Sequence, residues 1–185
     1  MKKGDKIMDD VIELNKYLSR IKYGWHDKDN NTYEKLDKSE FQKKYKMPSL
    51  NQIKKNDHAI CWELCELERD YFKKTKYQFH TIFVVLNMGK SKPGHSFLVF
   101  KNENNKYVWF ESSWSDMKGL REYESPVQLF NDIKDNFYKF IKTKDYDKNK
   151  IEFYAYKKPL KRLNCKEFYF NALYLGKKLD NDFKL

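Results

Sequence analysis

Cysteine, proline and glycine are all scarce in this chain, with three, four and six residues respectively among 185. So few breakers exclude a Pro/Gly-rich disordered or collagen-like chain, and three thiols exclude a disulfide-dense scaffold. The thiol count is odd, and Cys61 and Cys65 sit one helical turn apart, where disulfide geometry is poor. A C-x3-C pair without a second Cys/His pair misses the usual zinc spacing, so neither a metal nor another cofactor is expected. Arginine is the minority base, with only Arg20, Arg69, Arg121 and Arg162 among 38 Lys and Arg residues. No apolar run approaches the roughly 20 residues of a membrane span. The opening "MKKGDKIMDDVIEL" carries acids where a signal peptide needs an apolar stretch. The expectation is a soluble, cytoplasmic protein with no membrane partner.

What is present is a globular composition. Hydrophobic residues make up 40% and aromatics 17%, which outweighs the 35% of charged residues in deciding against disorder. The length suits one domain, residues 1–185, with a full core. A net charge of +11 favours non-specific attraction to polyanions. Acids interleave with the lysines in "KNENNK" and "KDYDKNK", however, and no arginine-rich stripe occurs, so a specific nucleic-acid partner is not expected. There is no internal repeat and no linker.

Periodicity predicts an opening helix over residues 7–20 with Ile7, Val11, Leu14 and Leu18 on one face. A turn-rich polar segment follows, then a short helix at 38–45 that stops near Pro48. Asn56 or Asp57 offers an N-cap for a helix reaching about residue 74, with Ile60, Leu64, Leu67 and Tyr71 as its apolar face and Cys65 and Phe72 beside it. "YQFHTIFVVL" reads as a buried strand over 77–86. "HSFLVFK" and "KYVWFES" flank the turn-rich "NENN" and form a hairpin. A helix is expected over 125–142, capped by Ser125 with Pro126 at its first position and Leu129, Ile133, Phe137 and Ile141 inside. "KIEFYAYK" is a further strand and "CKEFYFNALYLGKKL" a closing helix. Helices first, then antiparallel strands decorated by helices, make an α+β domain.

The candidate site comes from "DHAICWELCELERDYF", "GHSFLVF" and "KYVWFESSW". Cys61 at the first turn of its helix faces unpaired N–H groups and the positive end of the dipole, which favour a thiolate. Its own backbone N–H is a natural oxyanion donor. His95 opens one strand of the hairpin and Glu111 ends the other, so the carboxylate can hold the imidazole tautomer. A thiol to attack, an imidazole to take its proton and a carboxylate to orient the imidazole are the elements of acyl-transfer chemistry. The other candidates have plainer readings. Cys65 and Cys165 read as buried packing residues, and His80 as a satisfied core residue inside an apolar strand. His26 reads as solvated, and His58 is a rival base badly placed on the same cap. Asp116 is the reserve orienter if the register differs. Glu63, Glu66 and Glu68 read as the solvated or salt-bridged side of the helix, with Glu66 pairing only weakly with Arg69. Trp62 adjoins the thiol and reads as core. Trp109 shares the strand face of Glu111 and is placed to shield the His–Glu pair. Gln52, with Asn51 and Asn56, is offered by analogy with papain-type enzymes as a second oxyanion donor.

The order and spacing of these motifs resemble the transglutaminase-like branch of the papain-type cysteine enzymes. More narrowly, "C-W-[DE]", "ELERDYF", "H-[ST]-F-L-V" and "WFE-x-[SA]-W" are similar to transglutaminase-like proteins of Gram-positive bacteria and their mobile elements. The resemblance covers about residues 50–125. Ala59 stands where that superfamily usually has glycine, which bears on the entry turn, and Glu111 replaces the commoner Asp, adding one methylene of reach. The resemblance implies a papain-like core, a nucleophile helix packed on an antiparallel sheet, and a Cys61–His95–Glu111 triad acting on peptide or carboxamide bonds of a peptide or protein substrate. Hydrolysis is favoured over transamidation, because water is always present and nothing identifies an amine site. An arylamine N-acetyltransferase-like reaction ranks lower because the R-G-G-x-C approach is absent. The competing class is a non-catalytic binding module of the same fold, in phage or mobile-element biology.

Overall fold

The computed structural model describes residues 3–89, 92–141 and 147–185, with side chains from Asp10 onward. Helix α1 (Lys3–Arg20) leads into the two-residue strands β1 (Lys22–Tyr23), β2 (Trp25–His26) and β3 (Thr32–Tyr33). Helices α2 (Lys38–Lys44) and α3 (Leu50–Asn56) follow, then β4 (His58–Ala59) and helix α4 (Cys61–Phe72). Strands β5 (Phe79–Leu86), β6 (Gly94–Lys101), β7 (Tyr107–Glu111) and β8 (Gly119–Tyr123) precede helix α5 (Pro126–Ile141). Strand β9 (Ile151–Tyr156), helix α6 (Cys165–Leu173) and strand β10 (Lys177–Leu179) complete the chain. The fold is mixed α+β, and its centre is an antiparallel sheet in the order β10-β9-β5-β6-β7-β8. Of the opening helix's expected stripe, Val11 and Leu18 are buried, Leu14 packs beside them, and the Ile7 side chain lies outside the described residues.

Strand alternation divides the sheet's side chains between two covers. One face carries Ile82, Val84, Phe97, Val99 and Trp109 and packs on Leu129, Phe130, Ile133 and Phe137 of α5. The other carries Leu98, Phe100, Val108 and Phe110 and lies under Leu64, Leu67 and Phe72 of α4, with Val11 and Leu18 of α1 beyond. On that same side Phe83 and Val85 meet Trp62 of α4 and Phe168 of α6. Burying aromatics of this size contributes on the order of 2–3 kcal/mol each, so both layers are held firmly.

The helix that bears Cys61 does not begin where the side-chain cap signal placed it. Ser49 caps α3 instead, its Oγ accepting from the Gln52 N–H at 3.3 Å, and Asn56 is the last residue of that helix. Asp57 takes a left-handed conformation (φ 50°) and ends α3, after which His58 and Ala59 pair in parallel with Lys22 and Tyr23. Ile60 is the N-cap of α4, so Cys61 is its first helical residue. Two further elements, β8 and β10, lie in stretches read from the sequence as unassigned or helical. Neither has the apolar alternation that marks a half-buried strand, because both form edges of the sheet. Residue 142, the expected end of α5, lies outside the described residues.

Candidate active site

The start of α4 is held by its own third residue. Ile60 has no polar side chain to offer as a cap, and the Glu63 carboxylate reaches back to accept its N–H at 3.1 Å. The other Glu63 oxygen accepts the Tyr45 hydroxyl at 3.0 Å, and that hydroxyl in turn accepts the Trp62 indole N–H at 2.6 Å. His26 Nδ1 stands 3.4 Å from Glu63 Oε2, too oblique for a hydrogen bond, and neither ring nitrogen has a hydrogen-bond partner among the described residues. Burial pushes the Glu63 carboxyl up, with His26, Ile60 and Tyr45 opposing. Cys61 is therefore presented from a rigid helix start, 8% exposed, with the unpaired N–H groups of the first turn around it.

His95 reaches this thiol because of a step in the sheet. On one side β6 pairs with β5 as far back as Gly94, with His95 opposite Val84. On the other side the ladder to β7 covers only Leu98–Lys101 against 107–110, so His95 has no strand neighbour there. The opening accommodates the meeting of α4 and β6, and the His95 ring comes near enough to the Cys61 side chain for the two to interact electrostatically. Gly94 makes the approach to β5 tight, since a Cβ there would stand 2.2 Å from the Phe83 ring.

Glu111, the last residue of β7, accepts from His95 Nε2 at 2.7 Å through Oε2. Its other oxygen accepts the backbone N–H groups of Ser113 and Trp114, each at 2.9 Å, and the Ser113 hydroxyl at 3.2 Å. With Nε2 bound to Glu111, Nδ1 is the nitrogen left for Cys61. Burial would lower the His95 pKa, but the charge and hydrogen bond of Glu111 and the interaction with Cys61 raise it to about 10. Glu111 is held below the usual carboxylate range: its burial acts the other way but is outweighed by the His95 charge and the backbone donors. A buried anion and a buried imidazolium stabilise each other here because each retains its hydrogen bonds.

Several sequence readings need correction. Glu63, Glu66 and Glu68 are buried rather than solvated, because α4 is enclosed by the sheet, α3 and the N-terminal segment instead of presenting one face to water. Glu66 pairs with Arg69 inside the protein, and the same guanidinium also donates to Thr81 Oγ1 and the Tyr156 carbonyl. His26 is fully buried against the start of α4 and not solvated, whereas His80 is exposed and not core. Gln52 donates its side-chain amide to Asn56 Oδ1 at 2.9 Å, and Asn56 turns to Asn30 and Thr32, so neither is aimed at the thiol. Asn51 is exposed on α3. Trp109 is fully buried behind the site between Phe97, Trp114 and the Arg121 guanidinium. The indole facing His95 is Trp114, edge-on at 5.6 Å. Trp62 is core, stacked on Phe168 at 4.1 Å. His58 bonds the Asn56 carbonyl and Glu34, and Asp116 sits exposed on a short 3-10 turn, so neither reaches His95.

Cys65 and Cys165 are buried free thiols, as read. Burial, reinforced by Glu68, pushes Cys65 well above its ordinary value, and burial pushes Cys165 up to about 11. The parts that sequence reasoning missed are the backbone cradle at Ser113 and Trp114, the Trp114 shield, and the Glu63 network. A carboxylate followed at once by "SSW" is a signal for the first, since a short loop lets a side chain bond the N–H groups just after it. Among the described residues, no group of three or more His, Cys, Asp or Glu side chains is placed to hold a metal ion, and no helix is long and apolar enough to cross a membrane. No family model and no curated protein matches the chain.

Proposed function

We propose that the chain is a cysteine-dependent acyl-transfer enzyme of transglutaminase-like, papain-like architecture, with Cys61 as nucleophile, His95 as base and acid, and Glu111 as orienter. The observation that carries this reading is the single buried line from the Cys61 thiol through the His95 ring to a Glu111 carboxylate fixed by two backbone N–H groups. A nucleophile, a base beside it and a third group that orients the base are the arrangement nucleophilic catalysis uses. In the proposed reaction the Cys61 sulfur attacks a peptide or carboxamide carbonyl and its proton passes to His95. Charge developing on the carbonyl oxygen faces the Cys61 N–H. Collapse expels the amine, which takes the proton from His95, and leaves a thioester on Cys61. Water then attacks that thioester, giving its proton to His95, and the acid and the free thiol are released. An amine in place of water gives transamidation. Hydrolysis is the favoured outcome, and a peptide or protein is the favoured substrate.

Incubation with p-nitrophenyl acetate tests this directly. The expected result is a burst of p-nitrophenolate and acetylation of Cys61, read by mass spectrometry, that His95→Ala reduces by about 100-fold or more. Added methylamine then measures how the thioester divides between water and an amine. Acetylation spread evenly over Cys61, Cys65 and Cys165 would overturn the enzyme reading in favour of a binding module.

A further inference from the structure

Glu68 is a second buried carboxyl beside the site, and the reaction outlined above gives it no task. It follows Cys61 by seven residues, two turns along the same face of α4, and is 1% exposed. Oε1 accepts the Ser112 hydroxyl at 2.5 Å, and Oε2 has no hydrogen-bond partner among the described residues. Ser112 is itself buried and joins Glu111 to the Ser113 and Trp114 N–H groups that fix Glu111. One side chain thus links the helix that carries the thiol to the loop that holds the orienter.

Its charge state follows from its neighbours. Cys65 on its own helix, Glu111 on β7 and His95 on β6 are the titratable groups that bear on it. The adjacent Arg69 is turned to Glu66, Thr81 and the Tyr156 carbonyl. His95, the cation on the site side, is already paired with Glu111. An ionised Glu68 would set two buried anions beside one cation, which low dielectric disfavours strongly. Burial pushes its carboxyl up to about 8, with the Ser112 bond, the Cys65 side chain and the His95 charge opposing and the Glu111 charge adding.

We propose that Glu68 is a positioning residue that works as a neutral acid, bracing the Ser112–Trp114 loop against α4 and leaving Glu111 the sole carboxylate on His95. The proposal rests on the Cys61–His95–Glu111 reading. It predicts that the site changes character in alkali: once Glu68 ionises, a second negative charge opposes the thiolate and Cys61 slows relative to a variant that cannot ionise.

The test is iodoacetamide alkylation of Cys61 from pH 6 to 9.5 in wild type, Glu68→Gln, Glu68→Ala and Ser112→Ala, with thermal unfolding to establish that each variant is folded. Gln, the neutral isostere, is expected to rescue most of what Ala loses at pH 6.5 and to exceed wild type about threefold to tenfold at pH 9, the scale of one charge appearing near a partly buried site. Superimposable wild-type and Gln profiles, or a Gln variant as impaired as Ala, would overturn the proposal while leaving the triad intact. A wild-type Cys61 no faster than Cys65 or Cys165 would instead bring down the triad reading, and this inference with it.

Discussion

The two covers of the central sheet are built from different materials. The buried residues of α5 are Leu129, Phe130, Ile133, Phe137 and Tyr138, with no charge among them. Those of α4 include Glu63, Glu66, Glu68 and Arg69 within a 12-residue helix, beside Cys61 and Cys65. Apolar packing is the economical way to close a sheet, and buried ion pairs are weak stabilisers at best. Four buried ionisable residues on one short helix are therefore not explained by stability. All four bear on the site or its frame: Glu63 fixes the start of α4, the Glu66–Arg69 pair ties α4 to β5 and β9, and Glu68 reaches the Glu111 loop. The α5 cover is apolar throughout; the α4 cover carries Cys61, and His95 and Glu111 come to it from the ends of strands whose alternation sets them on the α5 face beside Phe97, Trp109 and Trp114.

That contrast breaks most visibly on the scaffold side. Phe137→Ala removes a fully buried ring and is expected to cost about 3–5 kcal/mol in urea unfolding, while the alkylation rate of Cys61 in the protein that remains folded stays at the wild-type value. A parallel loss of Cys61 reactivity would mean that the two covers are not separable. On the site side the expected effect is smaller and depends on pH. The His95 pKa is about 10 in the folded protein and near 6.5 unfolded. The stability this pair contributes is therefore complete below about pH 6.5, declines as pH rises, and is lost above about pH 10. The stability difference between wild type and His95→Gln should accordingly shrink steadily from pH 6 to pH 10 in urea titrations. A difference that is flat or grows with pH would remove the ion pair from the account.

The scaffold was legible in the sequence because its elements follow simple periods. Leu129, Ile133 and Phe137 mark α5 at helical spacing, and the "NENN" turn between two apolar runs marks the hairpin that brings His95 and Glu111 together. The proximity of Cys61, His95 and Glu111 was legible for a related reason, since each lies at the end of an element that the sequence identifies. The helix starts were less so: Ser49 caps a helix that periodicity did not reveal, and α4 starts at an isoleucine with no side-chain cap. The acids of α4 misled because an amphipathic reading assumes a solvent face. Burial of that face by α3 and the N-terminal segment is a tertiary fact that no local pattern carries. Gln52 fails as an oxyanion donor for the same reason, being turned to Asn56 within a helix of its own.

The most direct test of the central claim is the pH dependence of iodoacetamide alkylation at each cysteine, resolved by mass spectrometry, in wild type and His95→Ala. The account predicts that Cys61 is alkylated faster than Cys65 and Cys165, which burial keeps protonated and slow, and that His95→Ala removes the advantage of Cys61. Cys61 reacting no faster than the other two thiols across the pH range would contradict it.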